Sequence, residues 1–166
     1  MIAPRRLLAA VIAWTVAAPA ARAAAQASTA TLSANVGTIA KLNLSTASAS
    51  FPDADPDALP LIPSAGGPIL ITAKSRANPG VVVVLTLQAA DDLRSGVNVI
   101  PASNITWTAT GTGFVGGTLS KVTPVTVATW TGSGVRSGSQ QLYFRNLWTH
   151  PTGTYTVSLL YTLSAP

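Results

Sequence analysis

The 166-residue sequence contains no cysteine and no glutamate, and its only histidine is His150. The absence of cysteine excludes a disulfide framework and a thiolate metal site. Charged residues make up 9% of the chain, whereas an average soluble domain contains roughly 25%. No Gly-x-Ser-x-Gly sequence, the motif that exposes a nucleophilic serine in many hydrolases, occurs in the chain. Because candidate acids and bases are so few, we expect that the protein is not an enzyme.

The first 27 residues have the pattern of a secretory signal peptide. Arg5 and Arg6 form a short basic start, and an apolar run of twelve residues follows at 7–18. Three Ala-x-Ala cleavage sites follow, and they end at Ala23, Ala25 and Ala27. The alternative is a membrane anchor, but a spanning helix needs about 20 apolar residues. We therefore expect cleavage, export to the periplasm, the cell surface or the medium, and no membrane span afterwards.

The net charge of +5 belongs largely to this leader. Cleavage after Ala27 removes three arginines and leaves seven basic residues against five Asp, a net charge of +2. A nucleic-acid-binding protein neutralises phosphates with a basic stripe, and the mature chain has none. The sequence therefore predicts no nucleic-acid partner.

Residues 28–166 predict a single all-β domain. Runs rich in Val, Ile, Thr, Trp and Tyr are bounded by Gly, Pro, Asn or Asp, a pattern typical of strands. These runs predict seven strands at 38–44, 69–75, 81–89, 105–110, 125–131, 140–146 and 154–163, with an eighth at 30–36. Apolar and polar residues alternate in 105–109 and 155–159, which indicates one buried face per strand. The pattern favours an immunoglobulin-like antiparallel β-sandwich of seven to eight strands.

Three further segments carry specific expectations. The continuous apolar run 81–85 predicts a central strand covered on both faces. The glycine-rich run 110–117 has no Lys-Ser/Thr after it, so it predicts a hairpin or bulge and not a phosphate loop. The similar run 131–138 predicts a loop between two strands.

Three aspartates at alternate positions, Asp53, Asp55 and Asp57, resemble the opening of a calcium-binding loop. The EF-hand pattern fails, because Ala58 stands where Gly is required and Ser64 where Glu is required. The surrounding prolines favour a stiff, solvated connection with Asp turn caps. A Ca²⁺ loop is the alternative, and Ca²⁺ is the one cofactor that this segment suggests.

Other distinctive side chains have a structural and a functional interpretation. Asp91, Asp92 and Arg94 precede Gly96, which predicts a turn, although they could also bind a ligand. His150 would need a serine and an aspartate brought to it in space before it could act as a base. Exposed aromatic rings stack on sugars, so the tryptophans are candidates for a carbohydrate platform, although core packing is the default for each. They are Trp107, Trp130 and Trp148.

Several segments resemble a group of exported bacterial proteins of unassigned activity with an immunoglobulin-like sandwich. The matching segments are 51–56, 91–96, 105–111, 130–134 and 153–166. The tail is also similar to that of the WxL cell-wall-binding domain, with Tyr161-Thr-Leu163 in place of Trp-x-Leu. Pilus subunits of the chaperone–usher type likewise have a glycine where Gly153 stands, but this chain lacks their penultimate tyrosine and cysteines. The resemblance implies the fold and export of the protein. It implies nothing about a specific activity.

We therefore expect an exported, non-catalytic protein with a structural or adhesive role at the cell envelope or outside it. Its weakly charged, Thr-rich faces would suit packing against like subunits, and an unpaired sheet edge could recruit a further strand. The alternative is a module that binds carbohydrate or a cell-wall polymer through loop aspartates and exposed tryptophans.

Overall fold

A computed structural model describes residues 31–166 of the chain. The predicted signal peptide and its cleavage sites lie outside the described residues. The strands are β1 Ile39–Leu44, β2 Leu61–Pro63, β3 Ile69–Arg76, β4 Val82–Ala89, β5 Leu93–Ser95, β6 Asn98–Ile100, β7 Ile105–Thr110, β8 Gly117–Thr118, β9 Val125–Thr131, β10 Gly134–Arg145 and β11 Leu159–Ser164. One 3₁₀ turn, Ala102–Asn104, precedes β7. Within this part of the chain, no helix is long and apolar enough to cross a membrane.

The strands pair antiparallel in two main sheets and one hairpin. The larger sheet has the order β1-β3-β10-β7-β8, and β2 pairs with the end of β10 beyond β3. The smaller sheet has the order β11-β4-β9, and β5 pairs with β6. The long strand β10 joins three neighbours because its first half pairs with β3 and its second half with β2 and β7. These pairings confirm an all-β fold.

Both main sheets contribute to one apolar core, which is consistent with a β-sandwich. The larger sheet supplies Ile71 and Leu142, and the smaller sheet supplies Leu85 and Val127. Alternate residues of β3 and β4 are buried, as expected for strands with one face on a core. A hydrogen bond from Trp130 Nε1 to Ser75 Oγ (3.0 Å) joins the sheets inside this core.

One side of the sandwich is closed by the glycine-rich run 110–117. Val115 N donates to Val127 O (2.8 Å) and Thr129 N donates to Gly113 O (3.0 Å), which pairs this run with β9. The chain then pairs with β7 through β8. At Gly138, facing the run, a Cβ atom would lie 2.6 Å from the Phe114 ring. The run is therefore a connection between the sheets, with backbone approaches that require glycine, and not a simple hairpin.

All seven main predicted strands have a counterpart, and four details of the prediction are wrong. Residues 31–36 of the predicted eighth strand form no strand, and their apolar side chains are exposed. The predicted loop 131–138 is mostly strand, because β10 begins at Gly134 and pairs with β3 at once. The last strand begins at Leu159 instead of 154, after a single bridge between Thr156 and Arg94. β4 is central but buried on one face only, since Val82 is 54% exposed.

Candidate functional sites

The three loop aspartates lie before β2, and two of them have partners within the protein. Asp55 Oδ1 accepts a hydrogen bond from Asp57 N (2.9 Å), and Asp55 O accepts one from Leu59 N (2.8 Å). Asp57 Oδ1 accepts a bond from Trp148 Nε1 (3.0 Å). Asp53 is exposed. Asp55 therefore acts as the turn cap that the sequence predicts.

A Ca²⁺ site at this loop stays the alternative interpretation. In residues 31–166, no group of three or more His, Cys, Asp or Glu side chains is placed to hold a metal ion. The Ca²⁺ interpretation of Asp53, Asp55 and Asp57 can be tested by a calcium titration that follows the melting temperature.

The three tryptophans of the described chain have different environments. Trp107 and Trp130 are 3% and 7% exposed, and both indole N–H groups donate to protein oxygens. Trp148 is 70% exposed, and its indole is held by Asp57. Core packing is therefore the role of two tryptophans, and only Trp148 offers an accessible ring.

His150 lies beside aromatic rings. Its ring is 5.5 Å from that of Phe144, which is 5.8 Å from Phe51. Its Nε2 atom is 3.1 Å from Arg145 O. The structure brings His150 to aromatic residues and a backbone carbonyl, and the hydrogen bonds of its ring include none to an aspartate or serine.

An ionic cluster surrounds the predicted turn at Asp91. Asp91 Oδ2 accepts a bond from Arg94 Nε (2.7 Å), and Asp92 Oδ1 accepts one from Ala102 N (2.9 Å). Lys121 Nζ reaches both carboxylates. The sequence suggested the first three charged residues, but Lys121 lies about thirty positions away along the chain, so no local signal could reveal its part in the cluster.

These contacts shift the pKa values of the four groups. The hydrogen bond from Arg94 is the main cause that lowers the pKa of Asp91, and the bond from Lys121 does the same for Asp92. The pKa values of Arg94 and Lys121 are raised by the same contacts. Every acidic group of the cluster therefore has a basic partner, which favours a structural role over ligand binding.

The side of the sandwich opposite the glycine-rich run has two edge strands. β1 pairs only with β3, and β11 pairs only with β4, within the described residues. The inward side chains of β11 are half-buried against the core, whereas those of β4 beside it are fully buried. Sequence analysis could not find this feature, because it depends on which strands lie at the edges.

One polar contact lies beneath the edge strand β11. Tyr161 Oη donates to Gln140 Oε1 (2.6 Å), and Gln140 is 0% exposed. Burial raises the pKa of Tyr161 to about 12, so the phenol remains a donor at neutral pH. The Gln140 Nε2 atom has no hydrogen-bond partner among the described residues.

A scan against known protein families finds no family that matches this chain, and no curated protein is significantly similar to it.

Proposed function

We propose that the chain is an exported, non-catalytic, immunoglobulin-like β-sandwich with a structural or adhesive role at or beyond the cell envelope. We also propose that it associates with further copies through its open side, the side on which β1 and β11 are the edge strands. The signal-peptide pattern of residues 1–27 supports export. The antiparallel two-sheet arrangement supports the immunoglobulin-like interpretation. The partner in this proposal is a second copy of the chain that offers a strand.

The observation that carries this proposal is the composition of the β11 edge. Leu159–Ser164 contains no charge and no proline, and Leu160 is 60% exposed. Natural edge strands are protected by Lys, Pro or bulges, because unpaired backbone groups can pair with another chain. β1 on the same side has such protection in Lys41. The backbone edge of β11 is therefore the better template for an added strand.

The segment before β1 has the pattern that such a strand requires. Leu32, Ala34 and Val36 alternate with polar or small residues. Leu32 is 96% exposed and Val36 67% exposed, and residues 31–38 belong to no strand. Alternate apolar side chains would cover the half-buried face beside β11 in a second copy. We therefore propose this segment as the added strand.

The test compares lysine substitutions on the edge strand β11 with a lysine substitution on an interior strand. The double variant Leu160→Lys/Thr162→Lys changes exposed side chains of β11 and leaves its inward side chains intact. Leu70→Lys is the matched control, because Leu70 is 57% exposed on the interior strand β3. We expect residues 28–166 to associate with rising concentration in sedimentation velocity, and only the double variant to stay monomeric.

A second variant tests the added strand. Removing residues 28–38 should abolish association and leave the melting temperature unchanged at a concentration at which both proteins are monomeric. A mature protein that is monomeric at all concentrations, or that associates equally well with the double substitution in β11, would contradict the proposal.

A further inference from the structure

We infer that Trp148, together with the loop from Asp53 to Leu59, forms a stacking platform for a neutral pyranose ring of a polysaccharide. This site is independent of the proposed association through β11. Trp148 is 70% exposed, although its indole N–H is already bonded to Asp57 Oδ1 (3.0 Å). The ring is therefore oriented without being buried, and its aromatic face stays accessible.

The loop that holds Trp148 is itself tied to the strand end. Asn146 Nδ2 donates to Ala54 O (2.9 Å) and to Leu59 O (3.3 Å), at the two ends of the turn that Asp55 caps. Asn146 lies between β10 and Trp148 in the sequence. One side chain thus fixes the loop relative to the tryptophan. A site ordered before binding loses less conformational entropy when a ligand arrives.

Three leucines near Trp148 or the loop in the sequence are also exposed. Leu147 precedes Trp148 and is 41% exposed, and Leu61, 44% exposed, pairs with Arg145 at the end of β10. Leu59, 39% exposed, accepts the bond from Asn146. All three leucines belong to, or closely follow, the two segments that carry Trp148 and the loop.

The chemistry of the platform fits a sugar ring. A pyranose has an apolar C–H face and a rim of hydroxyl groups. The face of an indole carries partial negative charge and attracts the polarised C–H groups. The carboxylates of Asp57 and the exposed Asp53 accept hydrogen bonds from hydroxyls. Aspartates are concentrated at this loop, which disfavours an anionic polymer.

A cationic ligand is the competing occupant, because it could use the same ring and carboxylate. Proteins that recognise quaternary ammonium groups surround them with an aromatic cage. Among the tryptophans of the described residues only Trp148 is exposed, and its nearest aromatic neighbours in the sequence, Phe144 and His150, stack on each other. A single accessible indole face suits the C–H face of a pyranose better than it suits a compact cation.

The experiment measures the affinity of residues 28–166 for cellohexaose and for chitohexaose by isothermal titration calorimetry. We expect at least one of the two to bind, with Trp148→Ala weakening the affinity by at least about tenfold, equivalent to about 1.4 kcal/mol. Leu70→Ala is the control, because it removes another exposed apolar side chain (57% exposed) from a strand that is distant from Trp148 in sequence. A melt of each variant shows that the fold is retained.

Asp57→Asn separates a sugar from a cation. The amide oxygen that this substitution introduces can still accept the hydrogen bond from the indole and one from a sugar hydroxyl. Oligosaccharide affinity should therefore change by less than about threefold, well below the effect of about tenfold expected for Trp148→Ala. Failure of both oligosaccharides to bind at millimolar concentration overturns the inference, as does equal binding by Trp148→Ala. Binding of tetramethylammonium that Asp57→Asn abolishes also overturns it, in favour of a cation site.

Discussion

The two sides of the sandwich differ in whether their edge strands are paired. We call the side of the run 110–117 the closed side and the side of β1 and β11 the open side. On one side, the run 110–117 pairs with β9 and then with β7, so both sheets are continued by the same stretch of chain. On the other side, β1 and β11 end their sheets, and the inward face of β11 is half-buried.

The difference shows what closure requires. The closed side depends on backbone contacts that leave no room for a side chain: a Cβ atom on Gly113 would lie 2.5 Å from Thr129 O. Real Cβ atoms do not approach that closely, so glycine is obligatory there. The open side has apolar alternation in β11, but among residues 31–166 no further strand pairs with β1 or β11. Closure is therefore a property of one glycine-rich connection, and the open side remains available for a further strand.

The largest expected effect comes from removing the edge strand of the open side. Tyr155, Val157, Leu159, Tyr161 and Leu163 all pack against the core. Full burial of such a side chain contributes roughly 1.5–3 kcal/mol. Half-burial of five therefore approaches the net stability of about 5–15 kcal/mol of a typical domain. Deleting residues 154–166 should abolish cooperative unfolding in a thermal melt, or give insoluble protein. A soluble truncation with an unchanged melt would show that β11 is dispensable, and the open side would then begin at β4.

The next effect lies on the closed side. At Gly138, a Cβ atom would lie 2.5 Å from Thr110 O and 2.6 Å from the Phe114 ring. Overpacking of this kind typically costs about 1–3 kcal/mol, and we expect Gly138→Ala to lower the denaturant midpoint accordingly. Gly134→Ala on the same strand is the control, because its Cβ atom would meet only the flexible end of Arg136. Equal effects of the two variants would mean that close approach does not govern the closed side.

Local sequence patterns predicted the elements of both sides better than their pairing. The alternation in 105–109 and the apolar run at 81–89 identified β7 and β4 because strand propensity is local. The glycines of 131–138 suggested a loop, since glycine disfavours strands, but Gly138 is required by the approach of Phe114 from the run 110–117. The exposure of Trp148, against the burial of Trp107 and Trp130, likewise depends on contacts that are distant in sequence.

A smaller effect tests how β11 is held over the core. Tyr161→Phe removes the donor to Gln140 Oε1 and leaves the buried amide of Gln140 without its one bond. An unsatisfied buried polar group costs about 1–3 kcal/mol, and denaturant unfolding should show a loss toward the lower end of that range. The control is Tyr155→Phe, which removes an exposed bond to Pro151 O. If the control destabilises as much as the test variant, the buried contact does not hold the open side.

The smallest expected effect concerns the ionic cluster, whose residues lie next to elements of both sides. The backbone of Arg94 forms a bridge with Thr156, which precedes β11, and Lys121 follows β8 in the sequence.

The ion pairs hold the pKa values of Asp91 and Asp92 below 3.8 in the folded protein. A carboxyl with a lowered folded-state pKa stabilises the fold above its unfolded pKa of about 3.9, and this stabilisation disappears as the pH falls through the folded-state value. The melting temperature should therefore fall more steeply below about pH 4 in the wild type than in Asp91→Asn/Asp92→Asn, whose amides do not titrate. The exposure of Asp91 and Arg94 keeps the difference small, and added salt should reduce it further. Parallel pH profiles would show that the ion pairs of this cluster do not contribute to the stability of the folded protein.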